Sequence, residues 1–336
     1  MKFISYHSAS GDRLALLEGE TAYDIDQVDS ELPGRMSEFV SHWTQNLAQL
    51  RQSYSHFREN ASRAGTPVAA LSLMAPVPFP PSLRDGYAFR QHVANARRNR
   101  GSRVPPEFDQ FPVFYFSNHH AVRGPGLVYC MPDHFEKLDF ELEVAIMICQ
   151  KGRNIPAREA HHYIGGLLIM NDLSARRLQA EEMVLSLGPA KGKDFATTLG
   201  PALVTLDELS DYRREPPPGH TGDAYSLAMQ ARVNGIPVST GNLADMQWTF
   251  AELIERSSYG AELYPGDLIG SGTVGTGCFL ELNGTALRQN PDAPVQWLRD
   301  GDVIALEVEG LGVLCNTVAA EKSDYSLLRQ KKTASS

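Results

Sequence analysis

At 336 residues, with 42% hydrophobic and 21% charged residues, the chain has the make-up of a soluble globular protein with room for one large domain and one small one. A formal net charge of -9 and a pI near 5.6 argue against nucleic acid or an anionic membrane as the main partner. Cys130, Cys149, Cys278 and Cys315 form no C-x-x-C pair, Met1 to His7 lacks the apolar centre of a signal peptide, and no run reaches membrane-helix length. The expectation is a cytoplasmic protein with reduced core cysteines, no disulfide framework and no zinc site.

In chain order, residues 2–28 read as a small β-meander turned at Gly11-Asp12 and Gly19-Glu20. Residues 35–63 carry Phe39, Trp43, Leu47 and Leu50 at helical spacing, which predicts an amphipathic helix. Pro76, Pro78, Pro80 and Pro81 then crowd into a stiff connector, so the boundary falls between a small α+β domain, 1–75, and a larger one, 76–336. Arg84, Arg90, Arg97, Arg98, Arg100 and Arg103 make the next stretch the most basic of an acidic chain; it either steers a small anion or is a solvated helix face.

Leu138 to Ile148 reads as a strand apolar on both faces: Phe140, Leu142, Val144, Ile146 and Ile148 on one, Ala145 and Met147 on the other. The second face also carries Glu141 and Glu143. Two carboxylates on a buried wall need compensation, and i, i+2 strand residues lie close enough to share one hard cation. Ile164 to Met170 is a second apolar strand, ending in Asn171-Asp172, so a third carboxylate sits on a buried strand. A lone Asp there would ordinarily cap the turn before Ser174.

Further on, Gly188 to Phe195 is a turn-rich loop with two lysines that lacks P-loop spacing. Asn242 is the expected N-cap of a helix burying Leu243, Met246, Phe250, Leu253 and Ile254. Gly270-Ser271-Gly272-Thr273-Val274-Gly275 spells G-x-G-x-x-G, but Cys278 to Leu282 reads as a strand, so a dinucleotide site is rejected. Val303 to Val308 is a final strand, and Arg329 to Ser336 a frayed basic tail. The sum is an α+β chain whose large domain is mainly β.

Four blocks, in this order, carry a resemblance: Leu138-Asp139-Phe140-Glu141-Leu142-Glu143, Met170-Asn171-Asp172-Leu173-Ser174-Ala175-Arg176, Gly188 to Thr197, and Pro265 to Thr273. Over Asp85 to Val318 the chain resembles the fumarylacetoacetate hydrolase family. The resemblance implies a catalytic domain of mixed rolled β-sheets behind a small N-terminal domain, and a homodimer. It also implies a divalent metal, Mg2+ with Mn2+ or Ca2+ as alternatives, on Glu141, Glu143, Asp172 and a fourth ligand, Asp85. The segment Asp85 to Asn95 is similar to the longer fumarylacetoacetases, which makes His92 the general base and Glu281 the acid that orients it. Shorter members place a Glu three residues after the His; here that position is Asn95. Lys193 and Gln179 match positions near the reacting oxygen, and Tyr87, Arg100, Tyr115 and Thr273 are the expected substrate contacts. Ser117 stands where short members have a Lys, and Met183 where fumarylacetoacetases have a Tyr.

These roles fit hydrolysis of a C–C bond in a small anionic 1,3-diketo acid of fumarylacetoacetate or acylpyruvate type, with water activated by His92. An oxaloacetate-type decarboxylase or a keto-acid lyase or hydratase would share the carboxylates. A silent keto-acid binder is the reading from another class.

Overall fold

The computed structural model describes residues 1–59 and 65–332. The meander forms as Lys2–Ser8, Gly11–Glu18 and Thr21–Asp24, all antiparallel. These strands do not stand alone. Lys2 and Phe3 pair with Val204 and Leu203, so the meander continues a sheet whose centre lies much further along the chain.

That sheet has twelve strands. From the meander its path runs through Thr197–Val204, Ile164–Asp172, Leu142–Ile148, Leu268–Gly270 and Leu83–Gly86 to an edge at Phe114–Ser117, and it does not close on itself. Pairing is mostly antiparallel, but Leu268–Gly270 runs parallel to Leu83–Gly86, so the sheet is mixed. A second, five-stranded sheet places the expected strand Val303–Val308 between Ala228–Val233 and Gly312–Ala320.

The glutamate-bearing strand is shorter than its sequence predicts. Leu142–Ile148 is regular and wholly buried, while Leu138–Asp139 splits off to pair with Ser174–Ala175. Its two faces enter different hydrophobic clusters. Leu142, Val144, Ile146 and Ile148 join one; Ala145 and Met147 join the other, with Leu83, Leu168, Met170 and Trp43. The strand is therefore covered on both sides, as its apolar density requires.

Helix Trp43–Glu59 turns Trp43, Leu50 and Phe57 inward, and Phe39, on the preceding turn, meets Trp43 edge-on at 5.7 Å. Residues 60–63 of the expected helix, and 333–336 of the expected tail, lie outside the described residues. Asn242 caps only a single turn, Leu243–Asp245, by accepting from the Ala244 amide at 2.9 Å. The α-helix opens at Phe250, where Thr249 and Glu252 satisfy each other's backbone N–H groups in a capping box.

Two expectations are corrected here. Phe279–Gln289 is a helix, not a strand: five apolar-rich residues cannot distinguish a period of 2 from 3.6. A helix thus follows the glycine triplet, and the reason given for rejecting a dinucleotide site fails. The glycines nevertheless approach the chain's own atoms. A Cβ at Gly270 would strike the Asp85 carboxylate, at Gly272 the Gly86 carbonyl, and at Gly275 the Gln91 side chain. Cys315, expected in the core, is exposed on the outward face of its strand; Cys130, Cys149 and Cys278 are buried. Among the described residues no helix is long and apolar enough to cross a membrane.

Candidate active site

Strand register brings the acids together. Ala145 pairs with Gly270, and Gly270 with Asp85, so the bare glycine leaves room for Asp85 to turn across it. Glu143, opposite Met170, and Asp172 extend the same sheet face where its apolar packing stops. Asp85, Glu141 and Glu143 offer oxygens within 4.8 Å of one another, all buried. Asp172 stands alongside that group rather than within it. The Lys193 ammonium bridges the two, donating to Glu141 Oε2 and, at 2.6 Å, to Asp172 Oδ2, which also accepts from Tyr115 Oη. Arg176 Nη2 donates to Glu141 Oε1 at 2.7 Å and lies 2.8 Å from Asp139 Oδ2.

Charge does not balance in this basin. Five buried carboxylates (Asp85, Asp139, Glu141, Glu143, Asp172) face two buried cations, Arg176 and Lys193. Burial pushes the Asp85 carboxyl up to about 7, with Asp172 adding to it. Burial, with Asp85 and Glu141 close by, holds Glu143 well above the usual carboxylate range. Asp172 is raised by burial despite Lys193. Burial acts on Glu141 too, but Lys193 and Arg176 overcome it and hold its carboxyl low. Burial would lower Lys193, yet Asp172 and Glu141 raise it, so it stays an ammonium and serves as a donor, not a base.

Glu143 Oε1 accepts from Thr273 Oγ1 at 3.2 Å, while its Oε2 is buried with no hydrogen-bond partner among the described residues. An orphaned carboxylate oxygen in a basin with surplus negative charge fits a hard divalent cation. His92, Cys278 and Glu281 also present ligand atoms within 4.8 Å of one another. That group holds one carboxylate where the other holds three, so it offers a hard cation less of the negative charge and oxygen it prefers.

The Glu281 contacts come from helix Arg90–Asn99 and a tight turn. His92 Nδ1 lies 2.6 Å from Glu281 Oε2, the pairing a carboxylate imposes by selecting the Nδ1–H tautomer. Asn95 Nδ2 donates to Glu281 Oε1 at 2.6 Å, and the Thr276 amide donates to the same oxygen at 2.9 Å. Asn99 Nδ2 reaches the Glu281 carbonyl at 3.1 Å. His92 also lies close enough to Glu141 to favour its ionised form, so the imidazole borders the carboxylate basin.

The remaining candidates are spread around this centre. Tyr87 packs edge-on to His92 at 5.8 Å, and the field of Arg100 and Arg97 reaches it; Arg100 itself is exposed at the helix end. Gln179 Oε1 accepts from Arg176 at 3.1 Å. Ser117 is buried beside Thr197, and Met183 is exposed. Of the basic window, Arg84 is buried on Ser82 and Phe116, and Arg90 pairs with Asp109, so neither is free to meet a substrate.

Sequence reasoning missed Asp139 and Arg176, although both stand inside the quoted motifs. Asp139 Oδ2 accepts from Arg176 Nε at 2.9 Å and from the Leu280 amide at 2.9 Å, while Oδ1 accepts from the Phe279 amide at 2.8 Å. It caps the helix that carries Glu281 and grips the arginine that holds Glu141. An acid two residues before Glu141, in step with the E-x-E alternation, was the available signal.

Residues 82–319 match the family model described as fumarylacetoacetate (FAA) hydrolase C-terminal. The chain is 27% identical to the oxaloacetate tautomerase fahd2, mitochondrial, of Xenopus laevis, over 95% of this chain and 90% of that one. It is likewise 27% identical to the human oxaloacetate tautomerase FAHD2A, mitochondrial, over 89% of this chain and 84% of the human protein. Two solved structures share its fold across 96% of this chain and 100% of theirs: a fumarylacetoacetate hydrolase from Exiguobacterium antarcticum (TM-score 0.67, 23% identity) and a 5-carboxymethyl-2-hydroxymuconate delta-isomerase from Mycobacterium smegmatis (TM-score 0.64, 22% identity).

Proposed function

The chain belongs to the fumarylacetoacetate hydrolase family, and we propose that it hydrolyses a C–C bond in a small anionic 1,3-diketo acid of the fumarylacetoacetate or acylpyruvate type. The observation that carries this reading is the buried His92–Glu281 pair, 2.6 Å apart, at the border of the carboxylate basin. With Nδ1–H committed to Glu281, the other ring nitrogen is the one able to accept a proton from water. The resulting hydroxide adds to the ketone carbonyl. The tetrahedral intermediate then collapses, breaking the C–C bond and releasing an enolate that takes up the proton held by His92. Lys193, an ammonium pinned between Glu141 and Asp172, stabilises the developing oxyanion with the amide of Gln179. Tyr87, Arg100, Tyr115 and Thr273 are proposed to orient the substrate.

Asp85, Glu141 and Glu143, with Asp172 beside them, would hold Mg2+, or Mn2+ or Ca2+ in its place, and such a cation supplies Lewis-acid polarisation of the keto-acid oxygens. A cytoplasmic homodimer is part of the same proposal.

The relatives named oxaloacetate tautomerases favour one second reading. The same base could take a C–H proton from a 2-oxo acid and return it at oxygen, moving no heavy atom. Acetylpyruvate, fumarylacetoacetate and oxaloacetate, each incubated with protein and Mg2+, distinguish the two. Two acid products per diketo acid support hydrolysis. Accelerated keto–enol relaxation of oxaloacetate, with no new acid from any substrate, overturns hydrolysis in favour of tautomerisation, and carbon dioxide release points to decarboxylation.

A further inference from the structure

We propose that Asn95 is a positioning residue for the reaction, holding Glu281 in the orientation that makes His92 a base; the proposal rests on the reading of His92 given above. Helix Arg90–Asn99 points His92, Asn95 and Asn99 at one turn of helix Phe279–Gln289. Glu281 is 2% exposed, and its two oxygens do different work. Oε2 meets the imidazole. Oε1 is held from the other side by Asn95 Nδ2 at 2.6 Å and by the Thr276 amide at 2.9 Å. Thr276 takes a φ of +68°, left-handed backbone that a β-branched residue rarely adopts. A strained turn and a half-buried amide thus converge on the carboxylate oxygen that does not touch the base.

The chemistry explains why an amide suits this place. The Asn95 side chain donates a hydrogen bond without bringing a charge, so it fixes the rotamer of Glu281 and leaves the carboxylate free to stabilise an imidazolium. Without it, a carboxylate able to rotate would let go of Nδ1, and the imidazole could change tautomer or turn away. The ionisable groups facing Glu281 are His92 from the neighbouring helix and Cys278 at the start of its own. Tyr87 packs on His92, and Arg176 with Asp139 lies behind Cys278. None of these replaces the missing donor.

The test compares Asn95→Ala and Asn95→Asp with the parent, all loaded with Mg2+. Asn95→Ala should lower kcat about 10- to 100-fold at every pH with KM unchanged within about twofold. Asn95→Asp should recover toward parent activity as the solution is acidified, because the introduced carboxyl, once protonated, donates to Glu281 again. It should fall below Asn95→Ala once both acids ionise. Nitrogen-15 spectra of the His92 ring supply a readout independent of turnover: the parent should hold one tautomer, and Asn95→Ala should populate both. An unchanged ring spectrum in Asn95→Ala, or identical pH profiles for the two variants, overturns the proposal. Should the parent hydrolyse none of the diketo acids, the functional reading fails while the ring spectrum still decides the role of Asn95.

Discussion

The two halves of the site are built on opposite plans. Around Glu281 every oxygen has a donor: His92 and Asn95 from one helix and the Thr276 amide from a strained turn. Around Glu143 one oxygen has no partner among the described residues, and its neighbours Asp85 and Asp172 add further negative charge. A saturated carboxylate fixes geometry; an unsaturated one in a low-dielectric basin waits for positive charge. Under the proposed function, the protein completes its base by itself and leaves its acid basin to be completed by a cation.

The sharpest way to break this contrast is to remove the base. His92→Ala should cost about 10²–10⁴-fold in kcat/KM while Mg2+ affinity, read by calorimetry, stays the same. Loss of Mg2+ binding in that variant would mean that the two halves are one site. A nearly equal effect is expected where the halves join. Asp139→Ala removes a fully buried partner of Arg176 and the cap of helix Phe279–Gln289, and should lower stability by about 3–5 kcal/mol in a denaturant titration. A midpoint unmoved by that change would show that Asp139 braces nothing.

The cation itself should act on one half alone. Mg2+ at 100 times its dissociation constant should stabilise the stripped protein by about 2.7 kcal/mol, seen as a rise in Tm. Glu143→Gln should remove most of that rise, and His92→Ala none of it. Equal responses in all three proteins would place the cation elsewhere.

The last effect lies beyond the Lys193 turn, where the ring of Phe195, two residues past Lys193, packs tilted against His134 at 4.0 Å. Burial, helped by Lys191, depresses the His134 imidazole from its ordinary 6.5 to about 4. The folded state therefore binds fewer protons than the unfolded one between those values. This contribution is complete above pH 6.5 and is lost as pH falls toward 4, on the order of 3 kcal/mol in all. His134→Phe should flatten that part of the stability curve; a parallel curve would rule out His134 as its source.

How much of this could be read from residues alone follows from the range of the forces involved. The doubly covered strand was legible because its apolar positions are local and periodic, and Leu142–Ile148 divides its faces between two clusters as that pattern requires. The carboxylates were legible because acids on a buried wall violate a local rule. The helix Phe279–Gln289 was not, since its first turn is fixed by Asp139, 140 residues earlier in the chain. The partners of Lys193 were equally hidden: a lysine in a glycine-rich turn gives no sign that Glu141 and Asp172 will close on it. Asn95, standing where shorter family members have an acid, donates instead to the carboxylate of Glu281, a partner 186 residues away that its own neighbourhood does not announce.

Asp139 has a broader consequence. A single side chain clamps both the helix that presents the imidazole's partner and the arginine that holds Glu141, so, under the proposed function, the spacing between the base and the carboxylate basin has almost no play. A scaffold with so stiff a centre can acquire a new substrate only at its rim. The segment from Met183 to Leu187, tethered between the helix of Gln179 and the turn of Lys193, is the place to look for such change, since Val184, Leu185 and Leu187 are 80%, 80% and 89% exposed and can be replaced without disturbing a buried contact.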